Sequence, residues 1–387
     1  MLSMVRLTNA SNTAAVEIPT STLSNGIEIP LVGLGCASGV RKEHVLTALQ
    51  AGYRYLDTAQ AHQWGYHEEE VAEAILESTD VTRQDVFVVT KIHPENLGYV
   101  ATHHAVQESL NQPGFEGYLD AVLIHKPRCW EGVCKAKPDG TWQESWKALE
   151  ELYDTGLVRA IGICDVDHGI LDELLEQRIQ PHIIQNWYDP FYQQDDLRER
   201  IQKHHILFQA YSSLGTQWKM KGLDKNPVLA NVELITMAKE YQVPGPAQVV
   251  INWLTHKGIS VLPASTNAQR QSQNLFTSFS FELSKEDMKW LDNLDGKAPH
   301  PSRPHRNEVS VTWSNPSDYT VNIFWLDVDR KEVAVGSIQP NQDVTMKTFD
   351  GHTFVFRTAG EMLSEQTISR EEGQTQTIVV VEMEDEL

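Results

Sequence analysis

Short β-branched, apolar runs alternate with amphipathic helical stretches along the chain from Tyr53 to Pro263. An alternation sustained over this length is typical of parallel strands that are buried on both faces. Strands are predicted at 31–36, 53–57, 86–91, 119–125, 158–164, 182–187, 206–212 and 259–262. Eight strand–helix units in this order fit a (β/α)₈ barrel, or TIM barrel, better than an open doubly wound sheet, although the pattern alone allows both.

The stretches between these strands have the period of amphipathic helices. Within 68–77, Val71, Ala74 and Ile75 recur at the i, i+3, i+4 spacing of one helical face. Helices are predicted at 68–77, 142–153, 227–241, 246–257, 267–275 and 285–294. Near the start, Asn25-Gly26 separates two short extended runs, which predicts a β-hairpin ahead of the barrel.

The composition changes at Lys297, where the helical period ends. Residues 297–307 are rich in proline and basic side chains, and they predict a stiff linker. Beyond it, short strands are predicted at 309–313, 320–326, 333–338, 344–349, 352–357 and 378–381, as in a small β-sandwich. The expected organisation is a flexible leader at 1–20, an α/β barrel at 21–296, the linker at 297–307 and an all-β sandwich at 308–387.

Charge and hydropathy exclude several classes of partner. The formal net charge of −21 disfavours nucleic acid and anionic membranes, because both bind basic surfaces. No apolar run in the sequence approaches the roughly 18 residues of a membrane-spanning segment. The expected ligands are therefore small molecules or other proteins.

The four cysteines do not indicate a metal site. Cys36 and Cys164 fall at predicted strand ends, where small buried thiols are common. The spacing of Cys129 and Cys134 matches neither CxxC nor a usual zinc pattern. Reduced thiols in a cytoplasmic protein without a bound metal are expected.

Three residues with useful chemistry fall at the ends of successive predicted strands: Asp57, Lys91 and His125. In a (β/α)₈ barrel the C-terminal strand ends carry the active site, so these three side chains should converge. A carboxylate allows a buried lysine to keep its charge, and that charge makes a nearby phenol a better proton donor. A neutral histidine can hydrogen-bond a substrate oxygen. The missing partner is a tyrosine near the second strand.

Several motifs in this order resemble those of the aldo-keto reductases. They are Gly33-Leu34-Gly35, 51–59 (AGYRYLDTA), 86–91 (VFVVTK), 124–127 (IHKP), 146–163 (WKALEELYDTGLVRAIGI), 210–215 (AYSSLG), 246–253 (PAQVVINW) and 281–291 (FELSKEDMKWL). The resemblance covers residues from about 21 to 296 and implies a (β/α)₈ barrel that binds NADP(H) over the strand ends. It also implies a tetrad of Asp, Tyr, Lys and His, in which Asp57, Lys91 and His125 take three of the roles.

The tyrosine of this tetrad has two candidates. The family pattern places it five residues after the aspartate, where this chain has His62. The stretch from His62 to His67 looks like an insertion, and Tyr66 stands just before a glutamate-rich helix start. Tyr66 is the predicted proton donor and His62 the alternative. A third interpretation has Tyr66 packed on the helix of a catalytically impaired barrel.

The resemblance also assigns the cofactor site. It implies that Tyr211 stacks on the nicotinamide and that Cys164, Asp165 and Gln185 hold its carboxamide, although Cys164-Asp165 replaces the family's Ser-Asn pair. In the clamp for the 2′-phosphate, Ala264 replaces a lysine while Ser265, Arg270 and Asn274 remain. NADP(H) is therefore favoured, with NAD(H) as the alternative. The full set of predicted cofactor residues is Gly35, Cys164, Asp165, Gln185, Tyr211, Ser212, Leu214, Ser265, Arg270 and Asn274. Trp64, Trp187 and Trp218 are predicted to line the substrate pocket.

The C-terminal region resembles the β domain of the von Hippel–Lindau tumour suppressor. The similar stretches are 321–327 (VNIFWLD), 338–341 (IQPN) and 349–360 (FDGHTFVFRTAG). In that family the sandwich binds a hydroxyproline peptide in an aromatic slot, and the corresponding positions here are Trp325, Thr348, His352 and Phe354. The slot's tyrosine is replaced by Val335. A sandwich that only packs on the barrel or dimerises is an equally good expectation.

The function predicted from these features is that of an NADP(H)-dependent oxidoreductase that interconverts a carbonyl and an alcohol. Its sandwich is expected to dock a peptide or protein partner. The alternative is a redox-sensing regulatory protein whose barrel binds the nucleotide but turns over slowly. A third hypothesis, a peptide-binding adaptor with a barrel scaffold, predicts no nucleotide binding.

Overall fold

A computed structural model describes residues 3–7, 16–130, 133–297, 308–326, 330–349, 351–369 and 375–381. The chain divides into two compact units, Met1–Pro301 and Ser302–Leu387. This division falls within the linker predicted at 297–307, of which only Lys297 lies among the described residues.

The first unit opens with a three-stranded antiparallel sheet of β1 (Ser3–Leu7), β2 (Val16–Thr22) and β3 (Glu28–Pro30). The turn between β2 and β3 contains Asn25 and Gly26, and Gly26 adopts a left-handed φ of 87° that suits glycine. The hairpin predicted from Asn25-Gly26 is confirmed. Strand residues, however, occupy part of the segment 1–20 where the sequence predicts a flexible leader.

Eight parallel strands in sequential order form the central sheet. They are β4 (Leu34–Gly35), β5 (Tyr55–Asp57), β6 (Phe87–Ile92), β7 (Ala121–Ile124), β8 (Ile161–Cys164), β9 (Ile183–Trp187), β10 (Leu207–Tyr211) and β11 (Ser260–Val261). The two edges meet through a parallel bridge between Val32 and Val261. The Gly33 amide donates to the Val261 carbonyl at 3.0 Å across this seam. The predicted (β/α)₈ barrel is confirmed.

Two glycines make the seam possible. A Cβ on Gly33 would lie 2.5 Å from the Tyr55 ring, and a Cβ on Gly35 would lie 2.7 Å from the Leu262 carbonyl oxygen. A side chain at either position would therefore push the first and last strands apart. This is the close backbone approach expected of Gly33-Leu34-Gly35.

Eleven helices are present among the described residues of the barrel unit. They are α1 (Lys42–Ala51), α2 (Glu68–Glu77), α3 (Tyr99–Leu110), α4 (Trp142–Asp154), α5 (His168–Leu175), α6 (Asp195–Lys203), α7 (Thr216–Met220), α8 (Val232–Glu240), α9 (Pro246–His256), α10 (Ala268–Leu275) and α11 (Lys285–Asp292). The predicted face of α2 is buried. Helix α8 begins later than predicted because the Asn231 side chain caps it, accepting from the Leu234 amide. None of the described helices has the length and apolarity to cross a bilayer.

The cysteines correct one expectation. Cys129 and Cys134 form a disulfide, with their Cα atoms 5.7 Å apart, so the prediction that both are reduced is wrong. The Cys134 amide donates to the Trp130 carbonyl, and this turn brings the two ends of a short loop together. Cys36 and Cys164 are free and buried, as expected.

The second unit contains two β-sheets of mainly antiparallel strands, which share one apolar core. The first sheet has the order β15 (Gln342–Phe349), β12 (Glu308–Asn315), β18 (Thr375–Val379). The second has the order β14 (Glu332–Ile338), β13 (Val321–Leu326), β16 (Thr353–Thr358), β17 (Glu361–Thr367). Trp313 and Phe356 pack at the centre of the core, with ring centroids 4.8 Å apart. The predicted all-β sandwich is confirmed.

Candidate active site

The ends of β5 and β6 place a lysine against an aspartate inside the barrel. Asp57 is paired with Val89 across the two strands, so Lys91, two residues further, faces the same side. The Lys91 Nζ lies 2.5 Å from an Asp57 oxygen and also donates to the Thr58 carbonyl at 3.0 Å. Both side chains are buried. The sequence predicts that these two side chains converge, and they do so as an ion pair.

The charge on Lys91 is maintained by this pair. Burial has the largest single effect and lowers the pKa of Lys91, but Asp57, Tyr66 and Cys164 together raise it, so the net pKa lies above its usual value. The Gln185 amide donates to the other oxygen of Asp57 at 2.9 Å. The barrel therefore holds an ammonium group in a dry environment at neutral pH.

Tyr66 lies beside this ammonium group. Residues His62–Trp64 form a 3₁₀ turn, and Gly65, at a φ of 80°, returns the chain toward the barrel. The Lys91 Nζ is 4.8 Å from the centre of the Tyr66 ring. Burial raises the pKa of Tyr66 to about 12, while the Lys91 charge opposes that rise.

The alternative candidate, His62, faces away from this group. Its side chain is 65% exposed and its Nε2 lies 3.6 Å from a Glu69 oxygen. The structure thus brings Tyr66, and not His62, to the strand ends.

His125 completes the cluster from the end of β7. Its ring centroid lies 5.5 Å from that of Tyr66 and 4.6 Å from that of Trp64. Burial and the nearby Lys91 charge hold its pKa well below the usual range. Its buried Nδ1 has no hydrogen-bond partner among the described residues. A neutral imidazole with an unused nitrogen can bind a substrate oxygen.

The next strand ends carry a second charged network. The Tyr211 hydroxyl donates to Asp165 at 2.9 Å, and the other oxygen of Asp165 pairs with Lys126. Lys126 Nζ also lies 5.5 Å from the centre of the Tyr211 ring. Sequence analysis did not select Lys126. The signal that could have found it is the acidic residue at position 165, because a partly buried carboxylate needs a cation.

Cys164 and Gln185 are the other two residues predicted to hold the nicotinamide carboxamide. Cys164 is buried next to Asp165. The Gln185 side-chain nitrogen is shared between Asp57 and the Gln209 carbonyl oxygen. Gln185 therefore connects the Lys91–Asp57 pair to the neighbouring strand.

The predicted phosphate clamp lies at the start of α10. Ser265 is buried and its hydroxyl accepts from the Asn267 amide, while the Asn267 side chain caps the helix. Arg270 is exposed in the first turn. Asn274 faces inward, where its oxygen accepts from Gln248 at 2.9 Å. A helix start with a cation is a good environment for a phosphate.

The remaining cofactor residues lie on the loops around these strands. Gly35 is at the seam, where only hydrogen fits. Ser212 has a left-handed φ of 52°, which turns the chain sharply after Tyr211. The Leu214 carbonyl accepts from the Asn226 side chain, which fixes the loop before α7.

The predicted pocket tryptophans separate into two groups. Trp187 and Trp218 donate their indole N–H groups to one carboxylate oxygen of Asp189, at 2.9 and 2.8 Å. Trp64 instead packs against His93 and His125. Sequence analysis did not select Asp189, which holds two large apolar side chains in fixed orientations.

A buried glutamate follows the Tyr66 loop directly. Glu68 accepts hydrogen bonds from the hydroxyls of Thr90 and Ser109. Burial raises its pKa to about 7, because the hydroxyl groups do not fully replace water around a carboxylate. A pattern of acidic residues at a helix start does not distinguish this one from its exposed neighbours.

Glu68→Gln should change how the stability of the barrel depends on pH. A carboxyl group whose pKa is higher in the folded than in the unfolded state stabilises the folded protein. This stabilisation is complete below the ordinary pKa of 4.5 and is lost as the pH rises through about 7. The shift corresponds to about 3 kcal/mol. Urea unfolding at about pH 5 and pH 8 should show that the wild-type protein loses more stability than the variant. An identical pH dependence in both proteins would contradict a neutral Glu68.

The four residues predicted for the peptide slot lie close together in the second unit. Trp325 pairs with Phe354 across β13 and β16. The Trp325 and His352 rings have centroids 5.3 Å apart, and the His352 Nδ1 lies 3.1 Å from the Thr348 hydroxyl. Trp325 and His352 are partly exposed, while Thr348 and Phe354 are buried beneath them, and Phe354 packs on Trp313 in the core.

Comparisons with known proteins match both units. The model of the Aldo/keto reductase family matches residues 40–295, and that of the VHL beta domain matches residues 301–370. The chain is 36% identical to the 9,11-endoperoxide prostaglandin H2 reductase of Trypanosoma cruzi over 279 residues, which cover 71% of this chain and 90% of that protein. It is 30% identical to the NAD(P)H-dependent D-xylose reductase I,II of Candida tropicalis over 310 residues, covering 72% and 93%. The crystal structure of a Bombyx mori aldo-keto reductase in complex with NADP has a TM-score of 0.65 and 29% identity, covering 73% of this chain and 94% of that one.

Proposed function

The chain belongs to the aldo/keto reductase family, and we propose that its barrel is an NADP(H)-dependent enzyme in which Tyr66 is the proton donor for carbonyl reduction. The observation that carries this proposal is the convergence of Tyr66, Lys91 and His125 at the strand ends. The Bombyx mori relative binds NADP, and the Candida tropicalis relative is named for NAD(P)H.

The chemistry of the cluster follows from its charges. A nicotinamide held at the strand ends would supply the hydride for the carbonyl carbon, and negative charge would then develop on the carbonyl oxygen. His125 is neutral and can hydrogen-bond that oxygen. Tyr66 then transfers its hydroxyl proton, and the adjacent Lys91 ammonium stabilises the resulting phenolate. Water returns the proton to Tyr66 after the alcohol leaves.

The residues at the strand ends fit the cofactor. The Tyr211 ring can support a nicotinamide by stacking, and the start of α10 with Arg270 can bind a phosphate group. Asp165 can accept a hydrogen bond from a carboxamide, although its pairing with Lys126 replaces the neutral amide of related enzymes.

Purified full-length protein should oxidise NADPH steadily in the presence of aldehydes and ketones. A panel of aliphatic and aromatic carbonyl compounds, followed by absorbance, tests this function directly. Tight NADPH binding without turnover would support the redox-sensing alternative instead. The absence of any nucleotide binding would leave the barrel as a scaffold.

Arg270→Ala should weaken NADPH binding roughly ten- to a hundredfold, because a charge-assisted bond to phosphate contributes about 1.5–3 kcal/mol. The guanidinium is exposed in the first turn of α10 and free to reach a 2′-phosphate. NADH affinity should scarcely change, which titration of both nucleotides by fluorescence would show. Equal losses for the two nucleotides would mean that Arg270 does not contact that phosphate.

We further propose that the patch formed by Trp325, Thr348, His352 and Phe354 docks a peptide that carries hydroxyproline. The match to the VHL beta domain model and the hydroxyl–imidazole pair support this proposal. The partly exposed Trp325 ring can provide an apolar wall for a pyrrolidine ring, with Phe354 supporting it from the core, and the polar pair can bind the hydroxyl.

Trp325→Ala should weaken binding of a fluorescent hydroxyproline peptide at least about tenfold, because aromatic anchors dominate such contacts. Fluorescence anisotropy with matched hydroxyproline and proline peptides measures both affinity and specificity. Met362→Ala is a suitable control because its side chain is exposed on β17 and its strand partner is Arg357. If the two peptides bind equally well, the patch does not recognise the hydroxyl group.

A further inference from the structure

Two histidines and a glutamate lie together at the base of the loop that carries Tyr66. His62 begins the 3₁₀ turn, His67 precedes α2, and Glu69 is in the first turn of that helix. One donor atom from each side chain lies within 4.8 Å of the other two. The His62 and His67 rings meet edge to face, with centroids 5.1 Å apart.

The spacing of these donor atoms is close to that of a metal centre. Glu69 lies between the imidazoles, with one oxygen 3.6 Å from His62 Nε2 and the other 3.3 Å from His67 Nδ1. Zinc binds nitrogen and oxygen at about 2.0–2.2 Å, so neighbouring ligands of a tetrahedral ion lie about 3.3 Å apart. Small rotations of the exposed His62 would bring the third donor into range.

The donor types also select the class of ion. Two imidazoles and one carboxylate suit zinc and similar divalent transition metals, whereas calcium and magnesium prefer sites made only of oxygen atoms. Glu70 adds further negative charge, with an oxygen 3.8 Å from His67 Nδ1. Water would complete the coordination of a metal held by three protein ligands.

The three residues lie at the base of the loop that carries Trp64 and Tyr66 to the site at the strand ends. His62 and His67 bracket the four residues that include Trp64 and Tyr66, the two rings that pack against His125. A single ion bound by both histidines would hold the two ends of this loop together.

We propose that His62, His67 and Glu69 form a binding site for a divalent transition metal ion of the zinc class. The ion fixes the loop that presents Trp64 and Tyr66 to the strand ends. Metal binding stands by itself, whereas an effect of the metal on turnover rests on the proposed function of the barrel.

Full-length protein, stripped of metal with a chelator, can be titrated with zinc by calorimetry and with cobalt by visible absorption. We expect one equivalent of zinc and the cobalt spectrum of a four-coordinate site. Affinity should fall at least about tenfold in His62→Ala, because even groups that only support metal ligands contribute that much. Glu69→Gln tests the carboxylate without altering its size.

Two controls separate this site from other histidines. His104→Ala removes an imidazole from α3, and the double variant His300→Ala/His305→Ala removes both histidines of the predicted linker at 297–307. Both should bind zinc like the wild type. If instead His62→Ala and Glu69→Gln bind zinc as tightly as the wild-type chain, the proposed site is wrong.

Hydrogen exchange tests the effect on the loop independently of activity. Zinc should slow exchange of the amides at 62–67 in the wild type and leave them unchanged in His62→Ala. Zinc that binds without changing exchange would overturn the role in fixing the loop. A protein that passes both tests but never oxidises NADPH would retain the metal site and refute the proposed enzymatic function.

Discussion

Tyr66→Phe should lower kcat for carbonyl reduction by at least about a hundredfold, the usual contribution of a positioned general acid. The substitution removes only the hydroxyl, so the ring still packs beside His125 and near Lys91. Neither the nucleotide site nor the barrel core loses a contact. NADPH affinity and thermal stability should therefore remain close to those of the wild type, and steady-state kinetics with one aldehyde measures the loss.

His62→Ala is the matched control for this experiment. The His62 side chain is 65% exposed and faces Glu69, so its loss should reduce turnover much less than the loss of the Tyr66 hydroxyl. Both variants are best compared in the presence of a chelator, which removes any contribution of a bound metal. A nearly normal Tyr66→Phe enzyme together with an inactive His62→Ala enzyme would assign the proton donor to the histidine.

Lys91→Met should abolish most of the activity and also destabilise the barrel. The Asp57 carboxylate would lose the buried ammonium group that pairs with it, and breaking a buried ion pair in this way costs roughly 3–5 kcal/mol. Turnover should fall at least about a hundredfold, because the phenolate of Tyr66 would no longer be stabilised. Urea unfolding and steady-state kinetics measure the two effects separately.

The double variant Asp57→Asn/Lys91→Met separates catalysis from folding. Replacing both charges leaves no unpaired ion in the interior, so stability should recover toward that of the wild type. Activity should remain as low as in Lys91→Met, since the ammonium group is still missing. Recovery of turnover together with stability would show that Lys91 acts only as a structural residue.

Much of the fold could be predicted because the spacing of hydrophobic residues along the chain determines which faces of the helices and strands are buried. The eight barrel strands, the hairpin at Asn25-Gly26 and the sandwich all follow from such patterns. The edge strand β17 could not be predicted, because most of its side chains are polar and exposed. The Cys129–Cys134 disulfide was also missed, since its spacing matches no common motif and depends on the turn at Trp130.

The site could be predicted where a residue's place on its strand determines its position. Asp57, Lys91 and His125 are the examples. The position of Tyr66 depends on the conformation of an inserted loop, so the sequence alone left His62 as an alternative. Lys126 and Asp189 were missed for another reason. Lys126 pairs with the distant Asp165, and Asp189 joins the nearby Trp187 to the distant Trp218, and no local pattern reveals such long-range contacts.

The hydrogen bond between Tyr211 and Asp165 affects how much conformational entropy the Tyr211 side chain can lose when a nucleotide binds. Because the hydroxyl is already held, the aromatic ring is oriented before any nucleotide arrives. Immobilising a free side chain on binding costs about 0.5–1.5 kcal/mol. In this protein the Tyr211 side chain is already immobilised when the chain folds. The surface proposed to stack on the nicotinamide is thus preorganised, so the entropy of nucleotide binding should be less unfavourable than it would be with a mobile ring.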